Sequence, residues 1–205
     1  MQWKDSGGGE YEQPPVGSHI GICVRVIDLG TQEGQYQGKP TSKRQCMLTF
    51  ETPNELMSGE NEGKPFLVSK FYTASLGEKA NLRHDLENWR GRAFTPDELA
   101  GFDSKNVLGK ACMLSLTKND KDKVRITGVM AMPKGMAVAQ PMNPLVYFSL
   151  DEYDAGAFNG LSDGIKKMIA LSPEYKRATR PPESSPAQSP ASGNTFAEMD
   201  DDIPF

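Results

Sequence analysis

Hydrophobic and polar positions alternate or recur along most of this chain, and the period of that pattern predicts its elements. Residues 1–18 show no such period. They contain Gly7-Gly8-Gly9 and Pro14-Pro15 and read as a flexible leader. Residues 20–29 (IGICVRVIDL) form a β-branched run long enough for one strand, with Gly21 permitting a bend or bulge. Residues 30–43, with three glycines and Pro40, predict a turn-rich loop or the tip of a long hairpin. Over residues 44–51 the alternation is strict. Cys46, Leu48 and Phe50 face one way and Gln45, Met47 and Thr49 the other, the pattern of a half-buried strand. A polar loop leads to residues 66–73 (FLVSKFYT), a third strand.

The period then becomes helical. Ser75 with Glu78 three residues later predicts a capping box, because hydroxyl and carboxylate satisfy orphan backbone N–H groups. Leu82, Leu86 and Trp89 follow on one face and Gly91 suits a C-terminal cap, so Trp89 belongs to the core. Thr95-Pro96-Asp97-Glu98 starts a second, short helix with proline at its first position and acids at its positive end. Residues 111–118 and 123–132 alternate again around a polar turn at 119–122 and predict a β-hairpin. The order β-β-β-α-β-β predicts a mainly β domain over residues 19–135. Its expected form is a five-stranded OB-fold-like barrel with a helix between strands three and four. Residues 136–177 are expected to be an extension packing on that domain, with a strand at 143–150 and an amphipathic helix at 162–171. Residues 178–195, rich in Pro, Ser and Ala, predict a disordered linker, and 196–205 an acidic tip.

Composition narrows the function classes. The 205 residues suffice for one domain with tails. No apolar stretch approaches the roughly 20 residues of a membrane span, and the first residues lack a secretory signal's apolar segment. A soluble, cytoplasmic protein is expected. Cys23, Cys46 and Cys112 are odd in number and set in apolar runs, which argues against a disulfide framework or zinc ribbon. With only His19 and His84, neither beside a partner in the sequence pattern, no multi-histidine centre is expected. No phosphate-cradling loop or paired-carboxylate spacing occurs, so the chain predicts no enzyme, no catalytic residues, no metal and no cofactor.

Charge is uneven. Residues 19–134 carry 17 bases and 14 acids, whereas the last ten residues carry four acids and no base. A mildly basic body joined to an acidic tip points to nucleic-acid contact by the body and protein contact by the tail.

The terminal DDDIPF (Asp200, Asp201, Asp202, Ile203, Pro204, Phe205) is the most specific motif. It resembles, residue for residue, the tip of bacterial single-stranded-DNA-binding proteins, which also join an OB-fold body to the tip by a polar linker. The body resembles instead the single-stranded-DNA-binding proteins of tailed bacteriophages, through VIDLGTQ (residues 26–32), WRGR (89–92), ELAGFD (98–103) and NPLV (143–146). It departs from the bacterial pattern, so the bacterial tetramer and stacking tryptophans do not carry over. These resemblances imply sequence-independent single-stranded-DNA binding and protection in phage replication, recombination and repair. They also imply recruitment of such machinery through residues 200–205. The tip has its own physical logic. Phe205 offers a ring and a terminal carboxylate to one apolar pocket with a neighbouring cation, Pro204 keeps Ile203 extended, and the aspartates steer the tip toward basic surfaces.

Sequence-neutral binding needs cations for phosphates and flat side chains for bases. An OB-type groove is built from strands two and three and the one-to-two and four-to-five loops. The first loop offers Tyr36, Lys39, Lys43 and Arg44, strand three offers Lys70 with Tyr72, and the last loop offers Lys118, Lys121, Lys123 and Arg125. Alternation turns one of Phe71 and Tyr72 inward. Tyr72 shares a face with Lys70 and is the favoured platform, with core packing as its alternative. Arg90 and Arg92 flank Gly91 and are expected to complement the helix dipole. Two other readings stay open. One is a single-strand annealing protein that forms rings or filaments, and the other is a protein-interaction adaptor that binds no DNA. Oligomeric state is open as well.

Overall fold

The computed structural model describes residues 12–180. Five strands, β1 (Gly17–Tyr36), β2 (Lys39–Leu56), β3 (Pro65–Thr73), β4 (Ala111–Lys118) and β5 (Val124–Met130), pair antiparallel in the order β3-β2-β1-β4-β5. A sixth, β6 (Val146–Phe148), runs parallel to β1 where β4 leaves off. Five helices complete the fold among the described residues: α1 (Asn81–Arg90), α2 (Pro96–Ala100), α3 (Ala155–Asn159), α4 (Asp163–Leu171) and α5 (Pro173–Ala178).

The chain is therefore mainly β, but the sheet is open. The two ends of the strand path, β3 and β5, approach within 8 Å at the Cα level without a ladder between them. They meet through side chains instead, since Val68 and Tyr72 of β3 share a core with Ile126 and Val129 of β5. Much of the segment 30–43 is strand, not loop. β1 and β2 form one long hairpin whose turn, Gln37-Gly38, has both residues at positive φ, the backbone twist a two-residue hairpin turn requires. A register shift between Cys23 and Arg25 bends β1, letting its first part pair with β4 and the rest with β2.

One core lies inside the bent sheet, where Cys23, Val26, Leu48, Phe50, Tyr72, Leu86 and Trp89 meet. A second lies on the outer face, where Ile27, Leu29 and Met47 pack against Phe148, Leu150, Leu161 and Ile169 of residues 146–171. Each such buried side chain stabilises by about 1.5–3 kcal/mol. Its consequence for β2 is that Met47 to Thr52 are buried on both faces, so the half-buried strand expected from alternation is fully covered here. The extension is tied down by polar contacts as well. Glu174 accepts from Thr31 N and Oγ1 at 2.9 and 2.6 Å, and Gln32 Nε2 donates to the Met168 carbonyl. Gly30 is required at this contact, because a Cβ there would lie 2.5 Å from Ser172 and its φ is +70°.

Local signals succeed and fail in instructive ways. Gly91 ends α1 in the left-handed conformation, and Thr95 with Glu98 forms a complete capping box on α2. The Ser75–Glu78 capping box does not form. α1 starts only at Asn81, after an N-cap Ala80 without a side-chain bond, and the Ser75 hydroxyl accepts from Gly77 N in a local turn. The strand expected at 143–150 shrinks to the three residues of β6. The leader expected over residues 1–18 is anchored from residue 12 onward. Glu12 accepts from Ser58 N and Oγ, and Gln13 bonds to the Asp122 carbonyl and Val124 N.

Candidate nucleic-acid interface

Register places three rows on the outer face of β1, β2 and β3. Ile22, Glu51 and Leu67 make the first, Arg25, Thr49 and Ser69 the second, and Ile27, Met47 and Phe71 the third. The extension covers parts of the first and third rows. Glu51 is fully buried in the first, its carboxylate accepting from Met142 N (2.8 Å), Asn143 N (2.9 Å) and Asn143 Nδ2 (2.8 Å). Ile27 and Met47 of the third belong to the outer core. Between these lies the middle row, in which Thr49 is buried, Arg25 half-buried and Ser69 exposed. Thr49 and Ser69 share a 2.9 Å hydroxyl bond, and the buried Nε of Arg25 has no hydrogen-bond partner. Phe71 stands beside that row, 49% exposed.

This corrects the expectation for strand three. Tyr72, 4% exposed, is the core residue, and its Oη donates to Asp85 Oδ2 at 2.8 Å. Burial, then the neighbouring Asp85 carboxylate, holds its phenol above the ordinary range. Lys70 is bound to the same Asp85 oxygen at 2.6 Å and lies over the Tyr72 ring, so it serves the junction of β3 with α1. A lysine that shares a strand face with an inward tyrosine also points inward, where only a carboxylate can stabilise its charge.

The remaining sequence-predicted cations fall into two groups at opposite ends of β1. At the hairpin end, Lys39 and Lys43 are exposed, and Tyr36 pairs with Lys39 at the turn. Arg44 is committed elsewhere. Its guanidinium bonds both Asp28 and Asp151, and the Asp28 hydrogen bond raises its pKa further. At the other end, Lys118 pairs with Asp122 at 2.8 Å between exposed partners, while Lys121, Lys123 and Arg125 are exposed. This turn is stiff. Asn119 Oδ1 accepts from both Lys121 N and Lys123 N, and Gln13 bonds either side of Lys123. The 119–122 turn adjoins the start of β1, where Gly17 pairs with Leu116, whereas Lys39 lies opposite Tyr36 at its end. The two groups are thus separate, and Arg25 and Phe71 lie between them.

Sequence reasoning missed Arg25 and Glu51, although each left a trace. Arg25 is the lone cation inside an apolar strand, and Glu51 an acid closing an alternating one. His19 also differs from expectation, since its Nδ1 lies 3.1 Å from Glu55 Oε1. Arg90 and Arg92 both bind Glu98 of α2, so they tie α1 to α2 instead of serving the dipole alone. The tip residues Asp200, Asp201, Asp202, Ile203, Pro204 and Phe205 lie outside the described residues, as does most of the linker expected over 178–195. Among the described residues no helix is long and apolar enough to cross a membrane. Compared with protein-family models and with curated proteins, the chain has no significant match.

Proposed function

We propose that this chain is a single-stranded-DNA-binding protein of the tailed-phage type, with an OB-like body and a tethered tip at residues 200–205 that recruits other proteins. The observation that carries the reading lies on the outer face of the sheet. There a half-buried Arg25 whose Nε has no hydrogen-bond partner and, one row on, a half-exposed Phe71 lie between two exposed cationic ends, on a sheet whose strand order and inserted α1 are those expected of an OB-like body. A phosphate is attracted by the half-buried guanidinium charge and a base stacks on the ring, neither of which requires a particular sequence. The stacking residue in this reading is Phe71, not Tyr72. Lys39, Lys43, Lys121, Lys123 and Arg125 follow the phosphates on either side. In the resembling proteins such binding protects unwound DNA in replication, recombination and repair.

Anisotropy titrations of labelled oligonucleotides against salt test this reading. If the six cations named each displace one counterion, log K falls against log salt with a slope of about −4, since a single strand releases roughly 0.7 per contact. Single strands bind far more tightly than duplex of equal length. Equal affinity for the two, or binding insensitive to salt, overturns the proposal.

A further inference from the structure

A cavity of about 310 Å³ opens at the foot of the β1–β2 hairpin, between the strands, the segment before α1, α1 itself and β6. Its walls are largely apolar, lined by Leu48, Leu82, Leu86, Phe102 and Val107. Its lip is polar and has an unusual charge balance. Two carboxylates, Asp28 and Asp151, share the single guanidinium of Arg44. Asp28 is saturated, since it also accepts from Gly30 N and Leu150 N. Asp151 accepts from Arg44 at 2.9 Å and its side chain is otherwise exposed, so one oxygen remains open as an acceptor.

From this we infer that the cavity takes one unpaired nucleobase of a bound single strand and favours bases with an exocyclic amino group. The inference rests on the single-strand-binding reading above. An excess of carboxylate at the lip repels phosphate, and equally an acidic peptide, but admits a neutral ring. Apolar walls receive the faces of the ring, as any base allows. The open Asp151 oxygen accepts from an exocyclic amino group, which adenine, cytosine and guanine carry, whereas thymine offers only its imide N3–H, flanked by two carbonyl oxygens that the carboxylate repels. A base that is already unpaired has little stacking to lose on entering.

Cys46 lines this cavity and is half-buried, whereas Cys23 and Cys112 are fully buried, so alkylation of the folded full chain by iodoacetamide reports on Cys46. Burial pushes its thiol up to about 12, which makes the reaction slow and its rate sensitive to access. At saturating oligonucleotide, as set by anisotropy, oligo-dC slows the modification and oligo-dT slows it less. An abasic strand of equal length, which keeps the phosphates, leaves it unchanged. The dC over dT affinity ratio is about fivefold, the worth of one net hydrogen bond, and Asp151→Ala brings it to about one. Saturated binding with unchanged alkylation, or equal protection by the abasic strand, overturns this inference alone. Failure of every oligonucleotide to bind overturns both readings.

Discussion

Adjacent residues Phe71 and Tyr72 give opposite phenotypes if the outer face holds bases and the inner face holds the core. Phe71→Ala removes a ring that is 49% exposed, so the stability loss stays near or below about 1 kcal/mol. Its effect falls on DNA, where loss of one stacking platform weakens oligonucleotide binding by about 1–3 kcal/mol, roughly 5- to 150-fold. Tyr72→Phe keeps the buried ring and deletes only the 2.8 Å bond from Oη to Asp85. A hydrogen bond to a charged group is worth about 1.5–3 kcal/mol, which for a domain of this size lowers Tm by about 3–12 °C. Oligonucleotide affinity of the folded Tyr72→Phe protein is unchanged. Thermal denaturation and anisotropy on the two variants separate these effects. The reasoning fails if Phe71→Ala binds as tightly as the parent, or if Tyr72→Phe loses affinity while its Tm stays put.

Three further outcomes are expected. Glu51→Ala strands three donors of residues 142–143 in a buried site, so it destabilises by about 3–5 kcal/mol, and amide exchange at Met142 and Asn143 accelerates beyond that of β4. The Glu98 carboxyl is held down at about 2, first by its bond with Arg92 and then by Thr95 N. Its contribution is therefore complete above its ordinary value of 4.5 and lost as pH falls toward 2, so Tm declines across that window and Glu98→Gln flattens the decline. Deleting residues 196–205 leaves single-strand affinity unchanged or raises it, because an anionic tail competes with phosphates for the cationic ends. A large loss of affinity on titration would contradict this.

Local chemistry in the sequence was enough to locate most elements. Period-two runs marked β2, β4 and β5, a mixed apolar and basic run marked β3, the 3.6-residue stripe of Leu82, Leu86 and Trp89 marked α1, and Thr95-Pro96 with Glu98 marked α2, because each depends on neighbours a few residues apart. Wherever two faces were equally plausible locally, the distant chain decided. Met47, Thr49 and Glu51 read as a solvent face until residues 142–169 cover them, and Glu51 then becomes a buried clamp. Which of Phe71 and Tyr72 faces out was set by β3 packing its Tyr72 side over α1, where Asp85 meets both Tyr72 and Lys70. Whether a cation is free to bind phosphate is likewise a tertiary property. Arg44 and Lys70 look like Lys39 and Lys121 in the sequence, yet carboxylates brought from 15 to 107 residues away hold them. Burial and charge pairing are sums over space, and a one-dimensional pattern records them only where spatial neighbours are also neighbours along the chain.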